Sequence, residues 1–167
     1  MTAPIAAGVI GLGVGERHIA GYERHPGCRV TRLADFCPDK RADVASRHPD
    51  RPISADADAV LDDPEIAIVS IASYDQHHFE QVVRALDAGK HVFVEKPVVL
   101  REDHARIVRD KLREKPHLKL SSNLILRRCP RFRWLKAEIE EGRFGEIFHI
   151  DADYQYGRIH KLLGGWR

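Results

Sequence analysis

Residues 5–15 read Ile-Ala-Ala-Gly-Val-Ile-Gly-Leu-Gly-Val-Gly, an apolar run that passes directly into three glycines spaced two residues apart. The run predicts a buried strand, and the stretch that follows has helical spacing. A glycine turn in this context is typical of dinucleotide binding, because the backbone approaches a pyrophosphate and the helix start offers free N–H groups. Gly11, Gly13 and Gly15 are therefore candidate cofactor-binding residues. The alternative is a plain strand-to-helix turn.

The chain has 167 residues, of which 43% are apolar and 31% are charged, as in a water-soluble folded protein. This length suits one domain, or one domain and a piece of another. No apolar run approaches the roughly 18 residues of a membrane span. Lysine and arginine number 27 against 25 acidic residues, and a formal charge of +2 does not indicate a nucleic-acid partner.

The amino terminus has no basic segment before its short apolar run, so we expect no signal peptide and a cytoplasmic protein. Cys28, Cys37 and Cys129 form no closely spaced pair. They indicate neither a metal site nor a disulfide framework.

Short β-rich runs alternate with stretches of helical spacing, a pattern typical of a mainly parallel sheet in an α/β fold. The five predicted strands are Ile5–Ile10, Arg29–Ala34, Ile66–Ile71, His91–Val94 and Leu118–Ser122. Between the third and fourth strands, apolar residues at helical spacing precede a glycine: Phe79, Val82, Val83, Leu86 and Gly89. We therefore predict a Rossmann-type doubly wound sheet.

The pattern changes after Ser122, which places a domain boundary there: residues 1–122 form the first domain and 123–167 open a second. A helix beginning at Pro130 and ending before Gly142 is predicted first. The run Ile147–Tyr156 then alternates apolar and polar residues, which predicts a half-buried strand. The second domain would thus begin with one helix and one strand of an α+β fold.

Asp35 stands twenty residues beyond Gly15, at the end of the second predicted strand. An acidic side chain at this position accepts the ribose hydroxyls of an adenosine and repels a 2′-phosphate. No basic residue follows it directly, so the sequence favours NAD over NADP. The alternative is that Asp35 only terminates the strand.

Residues 88–97 read Ala-Gly-Lys-His-Val-Phe-Val-Glu-Lys-Pro, a helix end, a strand and then an acidic-basic-proline tripeptide. Ligands of open α/β sheets bind at the carboxyl edge of the strands, where this tripeptide is expected. Lys96 is thus a candidate catalytic residue that holds a substrate hydroxyl or donates a proton. The alternative is a surface ion pair between Glu95 and Lys96.

Taken together, these features resemble the glucose-fructose oxidoreductase, inositol dehydrogenase and rhizopine-catabolism (Gfo/Idh/MocA) family of nicotinamide-dependent dehydrogenases. The resemblance covers the whole chain. It rests on the glycine turn with His18, on Ala34-Asp35, on residues 73–78 (Ser-Tyr-Asp-Gln-His-His), on residues 88–97, on Asn123 with Arg127, and on residues 140–147 (Glu-Glu-Gly-Arg-Phe-Gly-Glu-Ile).

The resemblance implies a dehydrogenase that acts on a secondary alcohol of a sugar, sugar derivative or cyclitol. Its implied cofactor-binding residues are Gly11, Gly13, Gly15, Asp35, Ser73, His78, Glu95, Lys96 and Pro97, and no metal is implied. Ser73 and His78 would lie near the nicotinamide, and Lys96 would contact the substrate. Local structural roles are the alternatives for His78, for His18, and for Asn123 with Arg127.

Two departures from the family bear on activity. Gly13 and Gly15 have one residue between them where the family has two, which predicts a tighter pyrophosphate loop. The chain is also about half the family's length, so the aspartate and histidine that assist Lys96 are expected beyond it, and the chain is expected to stop inside the second domain. A noncatalytic homologue that retains cofactor or partner binding is therefore the alternative function.

Two further readings concern partners. The alternating face of Ile147–Tyr156 needs cover, which predicts a homodimer or a higher homo-oligomer. A basic cluster in 127–136 raises the alternative of a phosphate or nucleic-acid binding module, but its aromatic content is low. We therefore expect a small-molecule substrate, no nucleic acid and no membrane.

Overall fold

A computed structural model describes residues 3–155, 157 and 163. The described residues fall into two compact units that are divided between Leu124 and Ile125. The sequence placed this boundary near residue 122. That the second unit opens a substrate domain stays a prediction.

The first unit is built on a six-stranded sheet whose paired strands all run parallel. Its strands are β1 (Ile5–Ile10), β2 (Cys28–Ala34), β3 (Ile53–Ser54), β4 (Ile68–Ile71), β5 (His91–Val94) and β6 (Leu120–Ser122). The order across the sheet is β3-β2-β1-β4-β5-β6, which is the doubly wound Rossmann order. The predicted fold class is confirmed, and β3 is the strand that the sequence did not reveal.

Helices connect these strands and cover the sheet. They are α1 (Glu16–Glu23), α2 (Pro38–Arg47), α3 (Asp58–Leu61), α4 (Asp75–Asp87) and α5 (Glu102–Glu114). In α4 the predicted apolar face is confirmed, since Val82 and Leu86 are fully buried and Gly89 follows with a φ of 74°. No helix in the described part of the chain is long and apolar enough to cross a membrane.

The core consists of two apolar clusters. Alternate residues of β1 supply different clusters: Val9 packs with Leu12 and Ile19, whereas Ile10 packs with Ile71. This division follows from the geometry of a strand, whose successive side chains point to opposite faces of the sheet. Both faces are therefore apolar, which explains why β1 reads as a continuous apolar run.

The second unit contains a 3₁₀ helix (Ile125–Arg128) and α6 (Pro130–Glu140), the helix predicted to begin at Pro130. The strand predicted over Ile147–Tyr156 is wrong for 147–155, which form no strand, and Tyr156 lies outside the described residues. A strand needs a neighbour for its N–H and C=O groups, and the described residues of this unit supply none. Alternation alone did not make a strand here.

Candidate functional site

The parallel sheet gathers most of the predicted site residues at one edge. The glycine turn follows β1, Asp35 follows β2, Ser73 follows β4 and Glu95 follows β5. From β1 to β3 the chain adds strands on one side of β1, and from β4 onward it adds them on the other side, so the order of strands switches beside the glycine turn. Ligands of open α/β sheets bind at this switch point, outside the carboxyl ends of the strands.

The three glycines of the turn have different surroundings. Gly11 has a φ of 84°, and a Cβ on it would lie 2.4 Å from the backbone of Ala72. A Cβ on Gly15 would lie 2.1 Å from the carbonyl oxygen of Gly11. A Cβ on Gly13 would meet no atom within 4 Å. The chain's own packing therefore requires glycine at 11 and 15, whereas Gly13 leaves open space beside the turn.

The first turn of α1 follows the glycines directly, and Gly15 is its N-cap residue. The first N–H groups of a helix lack partners within the helix and favour an anion. Glu16 carries a negative charge at this end, but its carboxylate is ion-paired with Arg47 of α2 at 2.7 Å. The Arg47 guanidinium holds the pKa of Glu16 below its usual value. The charge of Glu16 is thus offset within the protein.

Asp35 connects two loops of the site. Its Oδ2 accepts the backbone N–H of Leu12 at 2.7 Å, and its Oδ1 accepts that of Cys37 at 2.8 Å. The residue is only 9% exposed. Each carboxylate oxygen therefore already accepts one backbone N–H, and each retains a further lone pair for a ribose hydroxyl.

Arg41 is a site residue that sequence reasoning missed. Its Nη1 donates to the carbonyl oxygens of Asp35 and Phe36, each at 2.9 Å. This contact holds the loop after β2 against α2. Its sequence position, six residues after the acid and one turn into a helix begun by Pro38, was the available signal.

An aromatic pair stands beside the same loop. The rings of Phe36 and Tyr74 are 5.6 Å apart at an angle of 52°, and Phe36 is 64% exposed. These residues follow Asp35 and Ser73 in sequence, so the pair flanks the ends of β2 and β4. The sequence analysis noted neither ring as a site residue.

His78 is fully buried, and its contact with a cofactor stays a prediction. Its Nδ1 lies 2.7 Å from the carbonyl oxygen of Pro97, and its Nε2 lies 3.0 Å from that of Ser73. The ring therefore joins the loop after β4 to the loop after β5. The Ser73 hydroxyl donates to Gln81 Oε1 at 2.6 Å, which fixes it to α4.

The tripeptide after β5 separates a nearly buried carboxylate from an exposed ammonium. Glu95 is 12% exposed at its side chain, and its Oε1 accepts a hydrogen bond from Asn123 Nδ2 at 2.6 Å. Its Oε2 lies 3.3 Å from the backbone nitrogen of Lys96 and accepts that N–H. The Lys96–Pro97 peptide bond is cis. Lys96 is exposed and, within the described residues, forms no ion pair with Glu95 or another carboxylate.

His18 of α1 contacts this carboxylate from the other side. Its Nε2 lies 3.2 Å from Glu95 Oε1, and its Nδ1 lies 2.9 Å from the Ser70 hydroxyl. Burial lowers the pKa of His18, and the Glu95 carboxylate opposes that shift. The ring is therefore neutral near pH 7.

Arg127 lies in the 3₁₀ helix of the second unit and is exposed. Asn123, with which it was grouped in the sequence, belongs to the first unit. The structure thus gives Asn123 a defined contact at the site, with Glu95.

The comparison with known families agrees with this strand order and turn. The Gfo/Idh/MocA profile, described as an oxidoreductase family with an NAD-binding Rossmann fold, matches residues 5–123. The chain belongs to this oxidoreductase family. The resemblance drawn from the sequence is thereby confirmed, and the first unit carries the family's NAD-binding domain.

Among curated Gfo/Idh/MocA relatives, an inositol 2-dehydrogenase of Pseudomonas fluorescens is 30% identical over 156 residues, covering 91% of this chain and 46% of that protein. A levoglucosan dehydrogenase of Pseudarthrobacter phenanthrenivorans is 30% identical over 122 residues, covering 73% and 31%. The chain spans less than half of the length of these relatives.

Among solved structures, a scyllo-inositol dehydrogenase from Lactobacillus casei with bound NAD(H) and scyllo-inositol superposes with a TM-score of 0.78 at 25% identity. It covers 86% of this chain and 43% of its own. A variant of the 3-ketoreductase KijD10 from Actinomadura kijaniata, in complex with TDP-benzene and NADP, gives 0.74 at 29% identity, covering 86% and 44%. Both forms of the cofactor thus occur among the structural neighbours.

Proposed function

We propose that this chain is the nicotinamide-dinucleotide-binding part of a dehydrogenase that acts on a secondary alcohol of a sugar, sugar derivative or cyclitol. The observation that carries the proposal is the contrast among the glycines. Gly11 and Gly15 are required by packing, whereas Gly13 faces open space that a Cβ would enter. A glycine that the fold itself does not require is what the close approach of a pyrophosphate needs.

In this proposal the residues divide along the dinucleotide. The glycine turn and the start of α1 would hold the pyrophosphate, and Asp35 would accept the hydroxyls of the adenosine ribose. Ser73, Glu95, Lys96 and Pro97 would shape the nicotinamide end, with His78 holding their two loops together. When bound, the nicotinamide supplies the ring that accepts or donates hydride.

The pair of exposed Phe36 and half-buried Tyr74 supports an adenine position beside Asp35. Aromatic rings favour offset or tilted stacking with other flat rings, and these two already meet at 52°. Arg41 braces the loop that carries Phe36, because its Nη1 donates to the carbonyls on both sides of the Asp35–Phe36 peptide. We infer that this loop binds the adenosine half of the cofactor.

We further propose NAD as the preferred cofactor over NADP. The Asp35 carboxylate would repel a 2′-phosphate and accept a 2′-hydroxyl. Arg41 is the basic side chain closest to Asp35 in the loop and helix that follow, and one of its nitrogens already serves two carbonyl oxygens. It is therefore less available to balance a phosphate.

Lys96 would act on the substrate oxygen. An exposed ammonium beside the nicotinamide end stabilises negative charge on an alcohol oxygen while hydride leaves the adjacent carbon. The resemblance implies that the groups that take up the hydroxyl proton lie in the family's second domain, beyond this chain. The substrate class rests on the relatives named for inositol and levoglucosan.

The alternative is a noncatalytic homologue that retains cofactor or partner binding. Assaying NAD reduction against a panel of polyols separates the two. Sustained turnover that disappears in Lys96→Ala would reject the noncatalytic alternative. If none of the polyols is turned over and NADH still binds tightly, the noncatalytic alternative is favoured.

Cofactor binding itself is tested by titrating the chain with NADH. The titration is followed by fluorescence energy transfer from tryptophan to NADH and, in a calorimeter, by the heat released. We expect saturable binding that ADP-ribose competes away, since the proposed contacts lie along the adenosine and pyrophosphate. Failure of NADH and NADPH alike to bind would reject the proposal. We also infer a cytoplasmic location, which the three unpaired cysteines support.

A further inference from the structure

A chain of buried polar groups joins the first helix to the carboxylate after β5. It comprises His18 of α1, Ser70 of β4, and Glu95, with Asn123 beyond β6 on the far side of the carboxylate. Ser70 is fully buried, and the side chains of His18 and Glu95 are 11% and 12% exposed. Polar groups are costly to bury without partners, so an arrangement of this kind is maintained by its mutual contacts.

Two groups face the same oxygen of Glu95. Asn123 Nδ2 donates to Oε1 at 2.6 Å, and His18 Nε2 lies 3.2 Å from that atom. The other oxygen, Oε2, accepts the backbone N–H of Lys96 at 3.3 Å. The carboxylate is therefore held by an element on either side, and it in turn holds the backbone of the lysine that follows it.

The protonation of His18 suits this role. Burial lowers the pKa of the ring, so that it is neutral near pH 7 and carries one N–H. The Ser70 hydroxyl lies 2.9 Å from Nδ1 and is able to donate to it, which leaves the proton on Nε2. Nε2 lies 3.2 Å from Glu95 Oε1 without the geometry of a hydrogen bond, so the Glu95 carboxylate is the close polar contact of this buried atom. Beside Ser70, burial raises the pKa of Tyr22 to about 12, so that the phenol keeps its proton.

We propose that His18 and Asn123 are positioning residues that hold Glu95 and thereby orient Lys96. Glu95 is then an internal anchor of the tripeptide, and Lys96 is the member that faces outward. The inference rests on the proposed function in that Lys96 is taken to lie at the nicotinamide end. The contact of His18 with Glu95 also connects α1, the helix that begins at the glycine turn, with Lys96.

A packing role for His18 is the competing explanation, since its ring makes an edge contact with Phe93 at a centroid distance of 5.2 Å. Two variants of similar polarity separate the explanations. The amide of glutamine reaches the position of Nε2, whereas that of asparagine reaches only the position of Nδ1. His18→Gln thus retains a donor toward Glu95, and His18→Asn retains the contact with Ser70 alone.

The direct readout is the reactivity of Lys96. Each protein is treated briefly with an acylating reagent, and mass spectrometry gives the rate at Lys96 relative to Lys119, an exposed lysine that precedes β6 at the other end of the sheet. The measurement is repeated with saturating NADH, and thermal unfolding is recorded alongside. In the wild type we expect NADH to slow acylation of Lys96 and not of Lys119.

We expect His18→Gln to keep the wild-type rate and NADH protection. In His18→Asn the relative rate or the protection should change by about tenfold, because the polar group 3.2 Å from Glu95 Oε1 is removed. Asn123→Asp places a second carboxylate against Glu95. It should change the acylation rate of Lys96 or its protection by NADH in the same way. This third variant decides the matter if the asparagine variant at 18 does not fold.

Equal Lys96 behaviour in the glutamine and asparagine variants, or in Asn123→Asp and the wild type, would overturn the proposal. If NADH does not bind the wild type, the proposed function fails. The rates without cofactor still test the positioning role, because they report how Lys96 is held in the free protein. A loss of thermal stability that is equal in both His18 variants, with Lys96 unchanged, assigns His18 to packing.

Discussion

Asp35 Oδ2 accepts the backbone N–H of Leu12 at 2.7 Å, so the carboxylate after β2 holds the middle of the glycine turn after β1. The same side chain accepts the N–H of Cys37 through Oδ1. Asp35 thus has a structural role in addition to its proposed role in cofactor choice. A variant at this position has to preserve the shape of the side chain if the second role is to be measured.

We predict that NADH binds more tightly than NADPH, and that Asp35→Asn narrows the difference. Asparagine keeps the size of the side chain and removes the charge that repels a 2′-phosphate. Its single oxygen accepts only one of the two backbone N–H groups that Asp35 holds, so thermal unfolding is recorded alongside. The loss for NADH should be about 1.5–3 kcal/mol, the range for a hydrogen bond to a charged group. Calorimetric titration with both cofactors measures this, with Asp39→Asn at the exposed start of α2 as the control. Equal affinities in the wild type would contradict the assignment to NAD.

The glycine turn gives a matched pair of variants. Gly13→Ala should leave the free energy of unfolding within about 1 kcal/mol of wild type, because its Cβ enters open space. Its affinity for NADH should nevertheless fall about tenfold or more if the pyrophosphate approaches this backbone. Gly15→Ala should instead lower the free energy of unfolding by about 1–3 kcal/mol, since its Cβ would overlap Gly11 O. Denaturant unfolding and NADH titration of both variants check the contrast, and unchanged NADH affinity in Gly13→Ala would count against the site.

His78 and its neighbour His77 form a second matched pair on α4. His78→Ala should destabilise the protein by about 1–3 kcal/mol, because the ring N–H no longer donates to the carbonyl of Pro97 or Ser73. His77 is exposed, so His77→Ala should change the free energy of unfolding by about 0.5 kcal/mol or less. Urea denaturation of the two variants provides the comparison. Equal stabilities would show that the ring does not hold the two loops.

The burial of His18 predicts a pH dependence of stability. Its pKa in the folded protein lies below the ordinary value of 6.5, so the unfolded chain binds more protons between those two values. The contribution of the buried, neutral His18 ring to the free energy of unfolding is therefore fully present above pH 6.5 and is lost as the pH falls through that window. Glu95 is the charged group that faces the ring, and it limits the shift. Unfolding measured from pH 7.5 to 5 should show a steeper loss for the wild type than for His18→Gln, and parallel curves would contradict the prediction.

The oligomeric state stays a prediction, but the observation that supports it is different from the predicted strand. The alternating strand is absent over 147–155, yet Phe148 and Ile150 are 97% and 74% exposed in the chain. Large exposed apolar side chains favour association. We predict a homodimer or a higher oligomer by light scattering at micromolar concentration. A monomer mass would contradict it, and an oligomer unaffected by Phe148→Asp with Ile150→Asp would place the contact elsewhere.

The sequence predicted the elements whose signals are local. Ile5–Ile10 and His91–Val94 were predicted to the residue, because each is an apolar run bounded by glycine or charge. The two-residue strand Ile53–Ser54 was missed, since it is too short for a periodic signal. The strand predicted over 147–156 was wrong for 147–155, because alternation does not guarantee a partner.

The site was predicted as a set of residues but not as a set of contacts. The glycine turn, Asp35 and Lys96 stand at strand ends, which the order of elements alone locates. The contact of His78 with Pro97 and that of His18 with Glu95 join residues 19 and 77 positions apart, and no local pattern reports such separations. Sequence spacing therefore located the sheet edge that carries the candidate site, and tertiary packing decided which of its side chains are buried and which are exposed.

The close approach of Gly11 to Ala72 has a practical consequence for redesign. A Cβ at Gly11 would lie 2.4 Å from the carbonyl of Ala72, and main chain directly after a central strand does not move easily. The turn is therefore a poor target for engineers who wish to exchange one nicotinamide cofactor for another. The segment 36–41 is a better one, because its side chains lie nearer to solvent and Arg41 fastens it through two hydrogen bonds that a library of variants could reshape.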